Sequence, residues 1–151
     1  MRKTLEQKLV KKYPKLFRHY KGDPALTCMA WGCAHSDGWY DILDNLCEDL
    51  SEFKGLVLAQ VKEKFGRLTV YVNGTTDENW EEVHGLINDA ALDSSETCED
   101  CGKPGKIRTG AWLITLCDDC EERSVEEAIY EEEEYEARKL FEERSKKSTV
   151  R

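Results

Sequence analysis

Residues 56–74, LVLAQVKEKFGRLTVYVNG, carry two β-branched runs separated by Phe65-Gly66. Period-two alternation on both sides of a glycine-containing turn predicts an antiparallel hairpin. With Lys64 opposite Arg67, one face holds Val57, Ala59, Val61, Leu68, Val70 and Val72. The other holds Gln60, Lys62, Lys64, Arg67, Thr69, Tyr71 and Asn73. A slip of one residue would exchange the two faces.

On either side the periodicity becomes helical. Upstream, Trp39, Ile42, Leu43, Leu46, Leu50 and Phe53 form one stripe, with Asp37 placed as its cap. Downstream, Asp77 is placed to cap a helix whose buried stripe is Trp80, Val83, Ile87, Ala90 and Ala91, ending at Ser94 and Ser95. Near the start, Thr4 and Gln7 have capping-box spacing, and Leu5, Leu9 and Tyr13 recur helically until Pro14. Between the first two helices, residues 18–38 are rich in breakers and read as an irregular connection, long for a compact domain.

The stretch CEDCGKPGKIRTGAWLITLCDDC, residues 98–120, pairs two Cys-x-x-Cys turns across two short strands, KIRTG and AWLITL. Tetrahedral zinc needs four soft ligands, and Cys98, Cys101, Cys117 and Cys120 supply them in a zinc-ribbon-like arrangement. An iron–sulfur cluster or a redox dithiol uses the same residue types, but the paired spacing favours structural Zn2+. Four thiolates close the coordination shell, so the metal is expected to fasten rather than catalyse. Cys28, Cys33, His35 and Cys47 form a weaker second candidate. Their spacing lacks the paired turns, and Cys47 falls on the buried helical stripe.

After the cysteines, Ser124 and Glu127 make a capping box for a helix running to about Lys147. Its apolar positions are poorly phased: Val125, Ala128, Ile129 and Tyr135 on one stripe, Tyr130, Ala137 and Phe141 on another. Glu134 with Arg138 and Glu142 with Lys146 support a helix that projects and packs little. The expected architecture is α+β: helices on a small antiparallel sheet over residues 1–95, a zinc ribbon over 96–122 and an acidic helix over 123–151.

The 151 residues carry a formal charge of −9, unevenly spread. Arg2, Lys3, Lys8, Lys11, Lys12, Lys15, Arg18 and Lys21 face one acid, Glu6, near the start, whereas Glu131 to Glu134 form an acidic block. The acidic total argues against nucleic-acid binding by the whole surface, although a local basic site stays open. No apolar run reaches the roughly 20 residues that span a bilayer. Seven cysteines without an export signal point to reducing surroundings, so a soluble cytoplasmic protein is expected.

Nothing pairs a nucleophile with a base; His19 and His84 are isolated, and no enzyme is expected. The polar face of the hairpin is the functional lead. Lys62, Lys64 and Arg67 suit phosphate, while Gln60, Thr69 and Tyr71 add hydrogen bonds and a ring, with Trp31, Trp39 and Tyr40 as further aromatic walls. Such a set fits an anionic, nucleotide-like small molecule, against the simpler alternative of a solvated sheet face.

GWYDILDNLCEDL (38–50), QVKEKFGRLTVYV (60–72) and CEDCGKPGKIRTGAWLITLC (98–117) together resemble a family of small uncharacterised phage and prophage proteins, over most of residues 28–120. The resemblance implies an accessory protein in the cytoplasm of an infected bacterium. It further implies a counter-defence role, sequestering a nucleotide-like immune signal or blocking a host protein. No catalytic residue carries over. The rival to small-molecule binding is a protein–protein inhibitor acting through its charged terminal helices, the glutamates imitating nucleic-acid phosphate; a nucleic-acid-binding zinc protein is the third reading, and self-association into a homo-oligomer stays open.

Overall fold

The computed structural model describes residues 1–110 and 112–148, without the side chains of 137 and 140–148. The chain divides into two compact units, Met1–Cys117 and Asp118–Arg151. The first holds helices α1 (Lys3–Lys12), α2 (Tyr40–Ser51) and α3 (Trp80–Ser95). It also holds a sheet of β1 (Cys33–Ala34), β2 (Val57–Lys64) and β3 (Arg67–Asn73), and a ribbon of β4 (Lys106–Arg108) and β5 (Ile114–Leu116). The second unit is helix α4 (Asp118–Ser148). The class is α+β, as the periodicities indicate.

The hairpin turns at Phe65-Gly66 with Lys64 opposite Arg67, and the ladder runs Lys62↔Thr69, Val61↔Val70 and Gln60↔Tyr71. Beyond Gln60 a bulge changes the expected order, so that Leu58 faces Val72 in place of Ala59. Leu58 is fully buried, and Val57 moves into the row of Asn73. β1 adds a parallel edge through Cys33↔Val61, so the sheet is mixed. A two-residue strand is too short for any period to reveal.

α3 lies against β3 and α2. The core joins Leu9, Trp39, Leu43, Leu50, Leu58, Val61, Leu68 and Val83, each at most 1% exposed. Ser94 closes the seam between α3 and β3: its buried Oγ accepts the Leu68 amide at 2.8 Å and donates to the Ala91 carbonyl at 2.7 Å.

Three expected caps are replaced. Asp37 binds the Arg2 amide at 2.7 Å and the Arg2 guanidinium, and the N-cap of α2 is Trp39. Asn79 stands at the N-cap of α3 and takes the Thr76 amide, while Thr4 lies inside α1, which starts after Arg2. Trp80 is 53% exposed and stacks on His84 rather than entering the core. In the basic start, Lys12 pairs with Asp44 at 3.0 Å. Glu6 is buried, its carboxylate accepting the Cys33 amide and the Tyr20 hydroxyl, both at 2.6 Å. It thereby ties α1 to the segment that the sequence presents as irregular, which contains three-ten turns at Cys28–Trp31 and Asp37–Trp39.

α4 begins at Asp118, six positions before the Ser124 box, because the second Cys-x-x-Cys turn already sets helical geometry; Asp118, Asp119 and Glu121 suit its N-terminal dipole. Glu134 and Arg138 pair at 3.2 Å. The Glu142–Lys146 pair and the side chains of Ala137 and Phe141 lie outside the described residues. Among the described residues no helix is long and apolar enough to cross a membrane.

His35 is 5% exposed, with Nδ1 on the Ser36 carbonyl at 2.8 Å and Nε2 buried without a hydrogen-bond partner. Burial lowers its pKa to about 4; the Ser36 carbonyl, Glu6 and Asp37 oppose this, and the Met1 amino group adds to it. The unfolded imidazole takes a proton near pH 6.5 and the folded one does not, so unfolding binds protons between these values and stability falls as pH drops. The shift is worth about 3 kcal/mol, lost between about pH 6.5 and about pH 4. Urea unfolding of the wild type and His35→Gln across that range is expected to give a stability difference that closes, in the variant's favour, toward the acid end.

Candidate functional site

The cysteine module is built by two turns that meet. Cys98 N donates to Lys103 O at 2.8 Å and Gly102 N to Cys98 O at 2.9 Å, which curls residues 98–103 into a knuckle. Glu99 N donates to Thr115 O at 2.8 Å, bringing the first turn beside β5, whose end carries Cys117. β4 and β5 pair Lys106↔Leu116, Ile107↔Thr115 and Arg108↔Ile114, and Arg108 clamps the Leu116 carbonyl with two nitrogens at 3.1 and 3.0 Å. β5 is shorter than the expected AWLITL strand, leaving Trp112 and Leu113 before it.

As a result the Sγ atoms of Cys98, Cys101, Cys117 and Cys120 all lie within 4.8 Å of one another. The Cys101 and Cys117 sulfurs are 3.6 Å apart. Tetrahedral bonds of about 2.3 Å put neighbouring sulfurs about 3.8 Å apart. Cys98, Cys117 and Cys120 are buried, and Cys101 is exposed. Burial pushes the Cys98 thiol up, but amides of Cys117, Cys101 and Asp100 and the Cys101 side chain outweigh it and bring the pKa down to about 7. The Arg123 guanidinium lies 2.8 Å from Cys120 Sγ, adding positive charge to the quartet. The residues fit a metal ion held by four thiolates.

The second candidate set does not assemble. Among the described residues the quartet is the sole convergent group of three or more potential ligands. Cys47 is fully buried in the core and Cys33 nearly so, both with thiol pKa values raised by burial, whereas Cys28 is exposed.

On the outer face of the hairpin, Gln60, Lys62, Lys64, Arg67 and Tyr71 share the expected side of the ladder. Lys62 Nζ stands 6.0 Å from the Tyr71 ring centroid. The nearest acid in sequence, Glu63, points the other way and accepts the Gly66 amide at 2.7 Å. Trp39 does not belong there. It is 0% exposed, and its indole N–H is committed to the Thr97 carbonyl at 2.7 Å. An aromatic on a helical stripe beside a loop is ambiguous by sequence, and the fold uses this one as core. Tyr40 is half-buried and Trp31 is exposed.

Two exposed rings escaped the sequence reading. Phe65 is 66% exposed at the hairpin turn and Trp112 is 71% exposed in the β4–β5 loop. The available cue was Phe65 itself, a bulky residue where a tight two-residue turn favours Asn or Gly.

Comparison with protein-family models, with curated proteins and with solved structures returns no match.

Because a metal held by this quartet would share its ligands with the fold, Cys98→Ser and Cys117→Ser are each expected to lose metal binding, measured by elemental mass spectrometry. Treating the wild type with a strong chelator should lower its melting temperature by at least about 10 °C, the range expected when a ligand bound far above its Kd is removed.

Proposed function

We propose that the chain is a noncatalytic, zinc-stabilised binding protein whose outer hairpin face takes a phosphate-bearing, ring-containing ligand of the nucleotide class. One observation carries this reading. Lys62, Lys64 and Arg67 share one face of a paired ladder, with Tyr71 beneath Lys62. Ammonium and guanidinium groups there suit phosphate, and the exposed phenol ring offers a surface for a base. Zinc is the ion best matched to four thiolates on two Cys-x-x-Cys turns, and a full shell leaves no position for an activated water.

In line with the resemblance to phage accessory proteins, the ligand on this reading is a nucleotide-like immune signal, held and kept from its receptor in the infected cell. Lys62→Ala with Arg67→Ala is expected to abolish uptake from a panel of linear and cyclic nucleotides in calorimetry, with the melting temperature moving by less than about 3 °C, as for exposed substitutions. Unchanged uptake rejects the site.

A second reading is favoured by α4, where Val125, Ile129, Tyr130 and Tyr135 are each more than half exposed among glutamates. Such a helix suits a protein partner with a basic groove. Truncation before Ser124 retains all four cysteines; nucleotide uptake should survive it, whereas inhibition of a host protein through the helix should be lost.

A further inference from the structure

We propose that the binding face continues over the hairpin turn onto the β4–β5 ribbon and accepts a single-stranded oligonucleotide, with Phe65 and Trp112 as stacking platforms. This deepens the nucleotide reading and rests on it.

The turn supplies the first argument. Phe65 has φ +55 and Gly66 has φ +75, between Lys64 and its partner Arg67. Two positive φ values in a two-residue loop define a type I′ turn, which Asn, Asp and Gly occupy at least strain. A phenylalanine in the left-handed region is uncommon. Here no burial offsets the strain, since the ring is 66% exposed. Backbone economy and core packing both fail to explain the residue; an outward-facing ring does.

The second argument is rigidity. The Gly66 carbonyl accepts the buried Thr115 hydroxyl at 2.6 Å, and a Cβ on Gly66 would meet Thr115 Oγ1 at 3.2 Å and Ile107 Cγ1 at 3.5 Å. The turn is thereby clamped to the ribbon. Ile114 lies in the same contact, its carbonyl carbon 3.5 Å from that Cβ position. Trp112 is two residues away, within about 7 Å of chain. It is 71% exposed and next to Leu113, itself 37% exposed.

Charge supplies the third. Lys64 Nζ lies 5.3 Å from the Phe65 ring centroid, and Lys62 Nζ 6.0 Å from that of Tyr71. The cations Lys62, Lys64 and Arg67 thus lie along the face between the Tyr71 and Phe65 rings, with successive same-face residues about 7 Å apart, close to the spacing of phosphates in an extended strand. Stacking on protruding rings requires unpaired bases, which selects single strands over duplex. The acidic total is no obstacle: residues 1–117 carry 15 Lys and Arg against 18 Asp and Glu, while residues 118–151 carry 7 against 13.

The test is fluorescence anisotropy of the full zinc-loaded chain with labelled oligothymidylates of about 4 to 12 nucleotides, the site-size range of single-strand grooves, beside calorimetry with the mononucleotide. Affinity should rise at least about tenfold with length and fall as salt rises. Phe65→Asn with Trp112→Ala should remove the length dependence and leave mononucleotide uptake, while Phe65→Tyr with Trp112→Phe keeps both. Phe65→Asn alone should also raise the melting temperature, since Asn suits the turn; a purely structural phenylalanine would not combine gained stability with lost binding. Mononucleotide uptake with no gain from length overturns this extension and leaves the smaller site standing. Uptake of neither overturns both, and length dependence surviving in the Asn/Ala variant overturns the assignment of the two rings.

Discussion

A close approach between main-chain segments brings the backbone at Gly38 against the turn from Cys98 to Gly102. Gly38 N donates to Glu99 O at 2.6 Å, Ser36 N to Glu99 Oε1 at 2.9 Å, and Trp39 Nε1 to Thr97 O at 2.7 Å. A Cβ on Gly38 would run into the Cys98 carbonyl and lie 2.5 Å from Gly102 N and 2.6 Å from Glu99 O. Backbone cannot yield as a flexible side chain can, so glycine is required by space. The same few residues place Trp39, the largest fully buried side chain, at the head of α2. The cysteine knuckle is therefore a wall of the α+β core and not a bead strung after it.

This placement changes what a metal held by the quartet would stabilise. Binding free energies of about 10–16 kcal/mol are typical of thiolate zinc modules, whereas a whole domain is stable by about 5–15 kcal/mol. In an independent ribbon that energy would stay in the ribbon. Here the turn that carries Cys98 also presents the carbonyls of Thr97 and Glu99 that hold Trp39 and Gly38, so an ion bound by the quartet would act on the packing of α2 as well. The seam also leaves Glu99 Oε2 buried without a hydrogen-bond partner. Glu99 is nearly buried and its pKa is raised by burial, against the favourable Ser36 amide. Buried polar atoms of this kind are usually met by ordered water.

Features carried by local spacing were legible in the sequence. The hairpin register follows from period two around Phe65-Gly66, and the cysteine quartet from two Cys-x-x-Cys turns of fixed local spacing. Features decided by competition were not. Asp37 has the right type for a cap, but the Arg2 amide and guanidinium outbid the helix. Glu6 reads as one acid among surface lysines until its carboxylate is seen beneath Gly32, receiving the Cys33 amide. Trp39 satisfies both a core stripe and an aromatic wall, and only burial separates them. Ser124 offers a valid box, yet the helix is already under way from Asp118. The bulge at Leu58–Gln60 leaves no sequence mark at all, because Leu58, Ala59 and Val57 are each acceptable in either row.

A closed four-sulfur shell would keep a bound metal from direct contact with a ligand, so its influence on the proposed binding face would be mechanical. The route is short. A metal on the quartet would hold the end of β5 through Cys117, β5 presents Thr115 two residues earlier, and the Thr115 hydroxyl fixes the Gly66 carbonyl at the hairpin turn. With the turn held, the Lys64–Arg67 pair that flanks it and the exposed Phe65 ring have little backbone freedom left to lose. Binding surfaces gain affinity when ordering costs are met in advance by the fold. On the proposed reading a strained turn residue and the cysteine quartet would belong to one device, in which a bound metal stiffens a face that it does not touch.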